Sequence, residues 1–210
     1  PDWKVENSPA VVGMEGREYA SGGQRWSAMD YEYDVTRDYV YRLLEEAILK
    51  YNIDGIELDF FRHPIFFGSQ LDGDHATAYQ TNILTELIER ISNLCDKHGK
   101  KLAIRVPDSI TYNSAIGIDL ETWLTLGYID IVSLSGYFHL SQWCAMANLK
   151  NLGDFELYAC LSKSRLKNQK SGKILPDYYW YNEAARAMQN GYDGIYLFNV
   201  FQNDTTKYSL

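Results

Sequence analysis

This sequence predicts an α/β fold with parallel strands, on three observations. Short apolar runs alternate strictly with amphipathic helical patterns, the junction from helix to strand recurs with one local motif, and 210 residues at 46% hydrophobic and 23% charged suffice for one substantial core. Strict alternation calls for right-handed crossovers, which leave neighbouring strands parallel. The recurring junction is Asn52-Ile53-Asp54-Gly55-Ile56, echoed by Gly191-Tyr192-Asp193-Gly194-Ile195 and more loosely by Gly127-Tyr128-Ile129-Asp130-Ile131. Each copy stops a helix and starts a strand. Repetition of one βα unit fits a TIM-type barrel better than a doubly wound sheet.

Taken in order, residues 1–34 read as an irregular N-terminal segment of the same single domain, rich in Gly, Ser and Glu. Val40, Leu43, Leu44, Ala47, Ile48 and Tyr51 then recur at helical spacing and predict a helix over about 35–51, with Thr36 or Asp34 available as N-cap. It leads into the acidic strand Asp54-Gly55-Ile56-Glu57-Leu58-Asp59-Phe60-Phe61, stopped by Arg62-His63-Pro64. A second helix is predicted from about Thr77 to His98, with Ile83, Leu84, Leu87, Ile91 and Leu94 on one side and Gly99 as the stop. Leu102–Val106 reads as a strand closed by Pro107. A short helix near Leu120–Leu126 precedes a strand over Ile129–Ser135, one from about Ser141 to Asn148 precedes Phe155–Leu161, and one over Tyr181–Gln189 precedes Gly194–Val200.

That makes five strands, whereas a complete (β/α)8 barrel takes about 250 residues. If the last strand is the eighth, the acidic strand is the fourth, strands one to three lie upstream of Pro1, and the expected architecture is a partial barrel of strands four to eight. Exposed edges and an exposed interior then predict a homodimer.

Composition narrows the function classes. A net charge of −8 argues against a general nucleic-acid binder, which needs an excess of Lys and Arg along one face. No apolar run of about 18 residues occurs, so no membrane span is predicted. Neither G-x-G-x-x-G after a strand nor G-x-x-x-x-G-K-[ST] is present, so no nucleotide cofactor is expected. Cys95, Cys144 and Cys160 lack C-x-x-C spacing and sit in apolar sequence, which predicts buried free thiols. Aromatics make up 14% of the chain; their faces suit both sugar rings and cores.

The acidic strand is the most chemical stretch. Alternation places Glu57, Asp59 and Phe61 on one face and Ile56, Leu58 and Phe60 on the other. Burying an unpaired carboxylate costs several kcal/mol, so two acids on one strand face need hydrogen bonds, cations or a wet cleft. Asp59 lies nearer the carboxyl end, where barrel active sites sit, and is the first candidate for a catalytic carboxylate; Glu57, one layer deeper, is a supporting acid. The competing role for both is pairing with barrel cations such as Arg62 or Arg105. Asp108, after Arg105-Val106-Pro107, is a candidate second acid or a loop cap; Asp204 and the part of the barrel expected upstream are the alternatives for the second acid. Arg62, His63 and Arg105 are candidates for orienting substrate, as are Tyr137 and His139 after the sixth barrel strand and Tyr196 and Asn199 on and after the eighth. His63 and His139 show no H-x-H or H-x-x-x-H spacing, so no metal site is predicted. The basic loop Lys163–Lys173 suits an acidic sugar or plain solvation.

The run Trp26-Ser27-Ala28-Met29-Asp30-Tyr31, the helix from Val35 to Tyr51, the block Asp54–Pro64 and the ending Asp193-Gly194-Ile195-Tyr196-Leu197-Phe198-Asn199 together resemble the glycoside-hydrolase-like (β/α)8 barrels grouped as family-ten-like glycosyl hydrolases. The resemblance covers most of the chain. It implies a barrel that cleaves an oligo- or polysaccharide without a cofactor, of a kind frequent in exported bacterial polysaccharide-degrading systems and so periplasmic or secreted. Two departures stand beside it. Chitinase-like barrels carry D-G-x-D-x-D-x-E here, and Phe61 occupies the place of the catalytic Glu. Many retaining barrels end strand seven in an acid, where this chain has Cys160-Leu161-Ser162 and Glu156 stands at the amino end. Two rival readings are a non-catalytic carbohydrate-binding barrel and a metal-dependent hydrolase on the same fold.

Overall fold

The computed structural model describes residues 11–12, 19–21, 24–26, 28–61, 63–135, 142–162 and 176–198. Four short strands come first: β1 (Val11–Val12), β2 (Tyr19–Ser21), β3 (Gln24–Trp26) and β4 (Ala28–Met29), with β1 antiparallel to β4 and β2 to β3. The opening expected to be irregular thus holds two small ladders. Strands of two or three residues are too short to carry a readable alternation.

The main body follows as α1 (Asp34–Lys50), β5 (Gly55–Asp59), α2 (Ala78–Lys97), β6 (Lys101–Pro107), α3 (Ile110–Ala115), α4 (Leu120–Thr125), β7 (Ile131–Ser135), α5 (Trp143–Ala147), β8 (Glu156–Ser162), α6 (Tyr178–Gln189) and β9 (Gly194–Phe198). The sheet runs β5-β6-β7-β8-β9 with every pair parallel. Its order never reverses, which separates it from doubly wound sheets. It also curls. In a flat sheet β5 and β9 would lie roughly 19 Å apart, yet the Tyr196 hydroxyl of β9 donates to Glu57 Oε1 of β5 at 3.1 Å. This is a partial TIM-type (β/α) barrel.

The convex side makes the core. Leu102, Ile104 and Val106 of β6, Val132 and Leu134 of β7, and Leu157, Ala159 and Leu161 of β8 form one cluster with Leu84, Ile88 and Ile91 of α2 and Trp123 of α4. Each large apolar side chain buried there contributes about 1.5–3 kcal/mol relative to exposure. Helix α2 begins in a capping box: the Thr77 hydroxyl accepts the Gln80 amide at 3.2 Å and Gln80 Oε1 accepts the Thr77 amide at 2.9 Å. It stops at Gly99, whose φ of 62° suits a residue without Cβ. Helix α1 departs from expectation: its cap position is Tyr33, with no side-chain cap bond, while Asp34 is already helical and ion-paired with Arg37 and Thr36 is buried.

The recurring aspartate ahead of the strands has a structural task. Asp130, just before β7, accepts the amide of Leu102 at 2.8 Å, and Asp193, just before β9, accepts the amide of Leu157 at 2.8 Å. Leu102 and Leu157 are the second residues of β6 and β8. Each aspartate therefore pins the preceding strand, and a lysine completes the pin: Lys101 on Asp130 at 2.5 Å and Lys150 on Asp193 at 2.7 Å. Lys150 and the Leu157 amide hold the Asp193 carboxyl below its ordinary range although its burial works the other way. Among the described residues no helix is long and apolar enough to cross a membrane.

Candidate functional site

The alternation that turns Ile104 and Val106 to the helices turns Arg105 to the concave side, in register with Asp59 on β5 and Ser133 on β7. Asp59 and Arg105 meet as a two-point pair, Nε to Oδ1 at 3.0 Å and Nη2 to Oδ2 at 2.5 Å. The third arm, Nη1, donates to the Ser135 hydroxyl at 3.0 Å. Arginine only donates, so Ser135 accepts there and directs its own hydrogen to Cys160 Sγ, 3.2 Å away on β8. The guanidinium lies 3.9 Å from the centre of the Phe198 ring and 5.4 Å from that of Phe61. Hydrogen bonds in its plane and rings beside it compensate for the loss of water around an arginine side chain that is 1% exposed.

Asp59 is the open end of this chain, with 36% of its side chain exposed. Its two oxygens differ. Oδ1 accepts both Arg105 Nε and the Phe61 amide, the latter at 3.0 Å, whereas Oδ2 accepts Arg105 Nη2. A carboxylate oxygen has about two acceptor directions, so Oδ2 keeps one for a group in the cleft. Glu57 faces the same side and is exposed. Its partner Tyr196 has its phenol pushed up to about 12, first by burial and then by the charge and hydrogen bond of Glu57, with the Arg105 charge opposing. That hydroxyl is a donor throughout the neutral range.

Other expected residues fall differently. Arg105, expected to touch substrate, is enclosed and meets Asp59 instead. Asp108 is fully buried just past β6, its amide donating to the Ser135 carbonyl at 3.0 Å. His63 is exposed in the loop after β5. Arg62, Tyr137, His139, Asn199, Asp204 and the Lys163–Lys173 loop lie outside the described residues. Cys95 and Cys160 are buried thiols, but Cys144, expected to be buried, is exposed on α5 because that five-residue helix turns Trp143 and Met146 inward instead. Among the described residues no group of three or more His, Cys, Asp or Glu is placed to hold a metal ion.

Sequence reasoning missed Ser135 and Cys160 as parts of the network, and gave Asp30 no role beyond its place in the run Trp26–Tyr31. Asp30 is 3% exposed; its oxygens accept the Glu32 amide at 3.0 Å and the Gly68 amide at 2.9 Å. It ties the segment before α1 to the loop that follows Asp59. The available signal was an acid directly after the apolar pair Ala28-Met29.

No protein-family model matches the chain, and no curated protein matches it by sequence. Solved structures do. The glycoside hydrolase domain of PgaB (BpsB) from Bordetella bronchiseptica aligns with a TM-score of 0.50 at 12% identity, over 86% of this chain and 62% of that one. The GH36 α-galactosidase AgaA from Geobacillus stearothermophilus, in complex with 1-deoxygalactonojirimycin, aligns with a TM-score of 0.51 at 13% identity, over 98% of this chain and 27% of that one. The fold is glycoside-hydrolase-like. The same α-galactosidase in complex with raffinose aligns at 0.50 and 13%. The chain spans less than two thirds of the length of either protein, and at these identities the likeness is one of fold.

Proposed function

We propose that this chain forms part of a glycoside hydrolase of the family-ten-like kind, acting on an oligo- or polysaccharide in a periplasmic or secreted setting, with Asp59 as its reacting carboxylate. One observation carries the reading: Asp59 stands at the carboxyl end of a barrel strand, reaches solvent, and has both oxygens aimed by an enclosed arginine. Glycosidic cleavage passes through an oxocarbenium-like state, and a fixed carboxylate beside the anomeric carbon either attacks it or stabilises its charge. Asp59 accepts three hydrogen bonds, which suits that task and not proton donation. The proton donor is then Glu57 or Asp108, of which Glu57 has access to solvent. Arg62, His63, Tyr137, His139, Tyr196 and Asn199 are the proposed sugar contacts.

A non-catalytic glycan-binding barrel is the second reading. It is favoured by the fact that, of the two carboxylates at the described strand ends, one is paired and the other enclosed. Release of reducing sugar from neutral and acidic glycans separates the two. Asp59→Asn is expected to lower turnover by roughly 10⁴-fold or more while glycan binding persists. Binding without turnover in the unsubstituted chain would instead establish the second reading.

A further inference from the structure

The exposed aromatic side chains gather at one end of the molecule. Parallel strands require the helices between them to run back, so α2, α3 and α6 start at the carboxyl end of the strands, as does α1, which leads into β5. Among the described residues the exposed Phe, Trp and Tyr side chains are six tyrosines, and five of them stand where a helix begins. Tyr33 is the cap residue of α1, Tyr79 the second residue of α2, Tyr112 the third of α3, and Tyr178 and Tyr181 lie in the first turn of α6. They are 39–66% exposed. Exposed aliphatics favour the other end: Leu49 and Met188 lie in the last turns of α1 and α6, and Leu126 just past α4.

Rings left in water forgo the burial that rewards them elsewhere, so four helices presenting them at one end mark a contact surface. Its chemistry is mixed. A phenol offers a flat apolar face and a hydroxyl at its edge, and Tyr178 and Tyr179 lie ring to ring at 4.5 Å with 31° between their planes. Carboxylates stand beside the rings: Glu32 and Asp34 flank Tyr33 and Asp177 precedes Tyr178, all exposed. Tyr33 also walls a cavity of about 470 Å³ whose other walls include Asp30, Glu32, Ser69 and Asp72. A pyranose presents the complement, with C–H groups for the ring faces and hydroxyls for the carboxylates. The same acids, on a chain of net charge −8, repel anionic sugars and anionic lipid. Neighbouring helices pack about 8–10 Å apart, a spacing that suits several sugars of one chain and not a single ring.

We infer that Tyr33, Tyr79, Tyr112, Tyr178 and Tyr181 form a rim that binds a neutral polysaccharide along the carboxyl end of the strands, several sugar units at a time. The inference rests on the reading of this end as a glycan site and extends it from contacts around Asp59 to a polymer.

Migration of the whole chain through native gels holding a neutral polysaccharide (xyloglucan, galactomannan or β-glucan) or an acidic one (polygalacturonate or alginate) reads the binding. Retardation is expected in at least one neutral gel and in neither acidic one. Tyr79→Ala and Tyr178→Ala, on different helices, should each weaken it about tenfold, and Tyr178→Phe, which keeps the ring, less than about twofold. Leu126→Ala, equally exposed at the other end, should not weaken it. All three side chains are exposed, so unchanged urea midpoints are expected and show that the fold is intact. Retardation in acidic gels alone, in no gel, or undiminished in both alanine variants overturns the inference. So does binding to phosphatidylcholine vesicles that both alanine variants abolish, which would make the rim a lipid contact. Release of reducing sugar separates the rim from the reading beneath it. Retardation lost in the alanine variants of a chain that releases no sugar keeps the rim and removes Asp59 as the reacting carboxylate; sugar release with retardation indifferent to those variants does the reverse.

Discussion

The two faces of one strand, β6, differ in what they tolerate. On the convex face Leu102, Ile104 and Val106 are at most 1% exposed and belong to the apolar core. On the concave face Arg105 is equally enclosed but reaches the surface through Asp59. Apolar packing is judged by volume and forgives a shift of hydrogen-bond geometry, because it has none. A guanidinium held in its plane by three hydrogen bonds has one workable position. Stability should therefore concentrate on the convex face and sensitivity of function on the concave one.

The strongest way to break that contrast is Trp123→Ala. Trp123 is fully buried, packs 5.7 Å centre to centre against Phe60, and donates its indole N–H to Thr85 at 2.9 Å. Truncation is expected to cost about 3–5 kcal/mol, measured by urea unfolding. Whatever activity the folded fraction carries should change little. A loss under about 1 kcal/mol would mean that the helical side is not the seat of stability.

Arg105→Lys sharpens the contrast from the other side. Lysine keeps the charge but has no planar fork, so it serves one Asp59 oxygen or Ser135 and not all three acceptors. The expected stability loss is about 1–2 kcal/mol, held down because Asp59 is 36% exposed and water replaces part of the pair. If Asp59 is the reacting carboxylate, kcat should fall about 100-fold with KM nearly constant, since the carboxylate stays but loses its aim. Equal losses in both parameters would reduce Arg105 to a general support of the cleft.

The difference between the faces also explains what could be read in advance. Long periodic patterns placed α1 and α2 within about a residue of their ends, and period-2 alternation placed Glu57 and Asp59 on one face. Helix α3, six residues behind a Ser109 cap, escaped notice because so short a helix shows no period. The Asp59–Arg105 pair was one of two roles weighed for those acids, and deciding it required the register between strands 46 residues apart. Ser135 and Cys160 were not legible at all, since an ordinary serine and an ordinary buried thiol become a relay only when the sheet sets them side by side.

The gentlest test concerns how the concave face holds its own two ends. The Tyr196 hydroxyl on Glu57 joins the first and last strands of the sheet at 3.1 Å, and because Glu57 is exposed and water competes for its carboxylate this charge-assisted bond contributes only about 1 kcal/mol. Tyr196→Phe should therefore lower stability by no more than about that amount at neutral pH. The pH dependence carries the sign. Folding raises this phenol from its ordinary value of 10 to about 12, so the folded state favours the protonated form. That stabilisation is complete below pH 10 and is lost as pH rises toward 12. The gap between the parent chain and Tyr196→Phe, taken from urea midpoints at pH 8, 10 and 11.5, should hold steady over the first interval and narrow over the second. A gap constant to pH 11.5 would mean that the phenol does not close the concave face, and the curl of the sheet would then rest on the convex core alone.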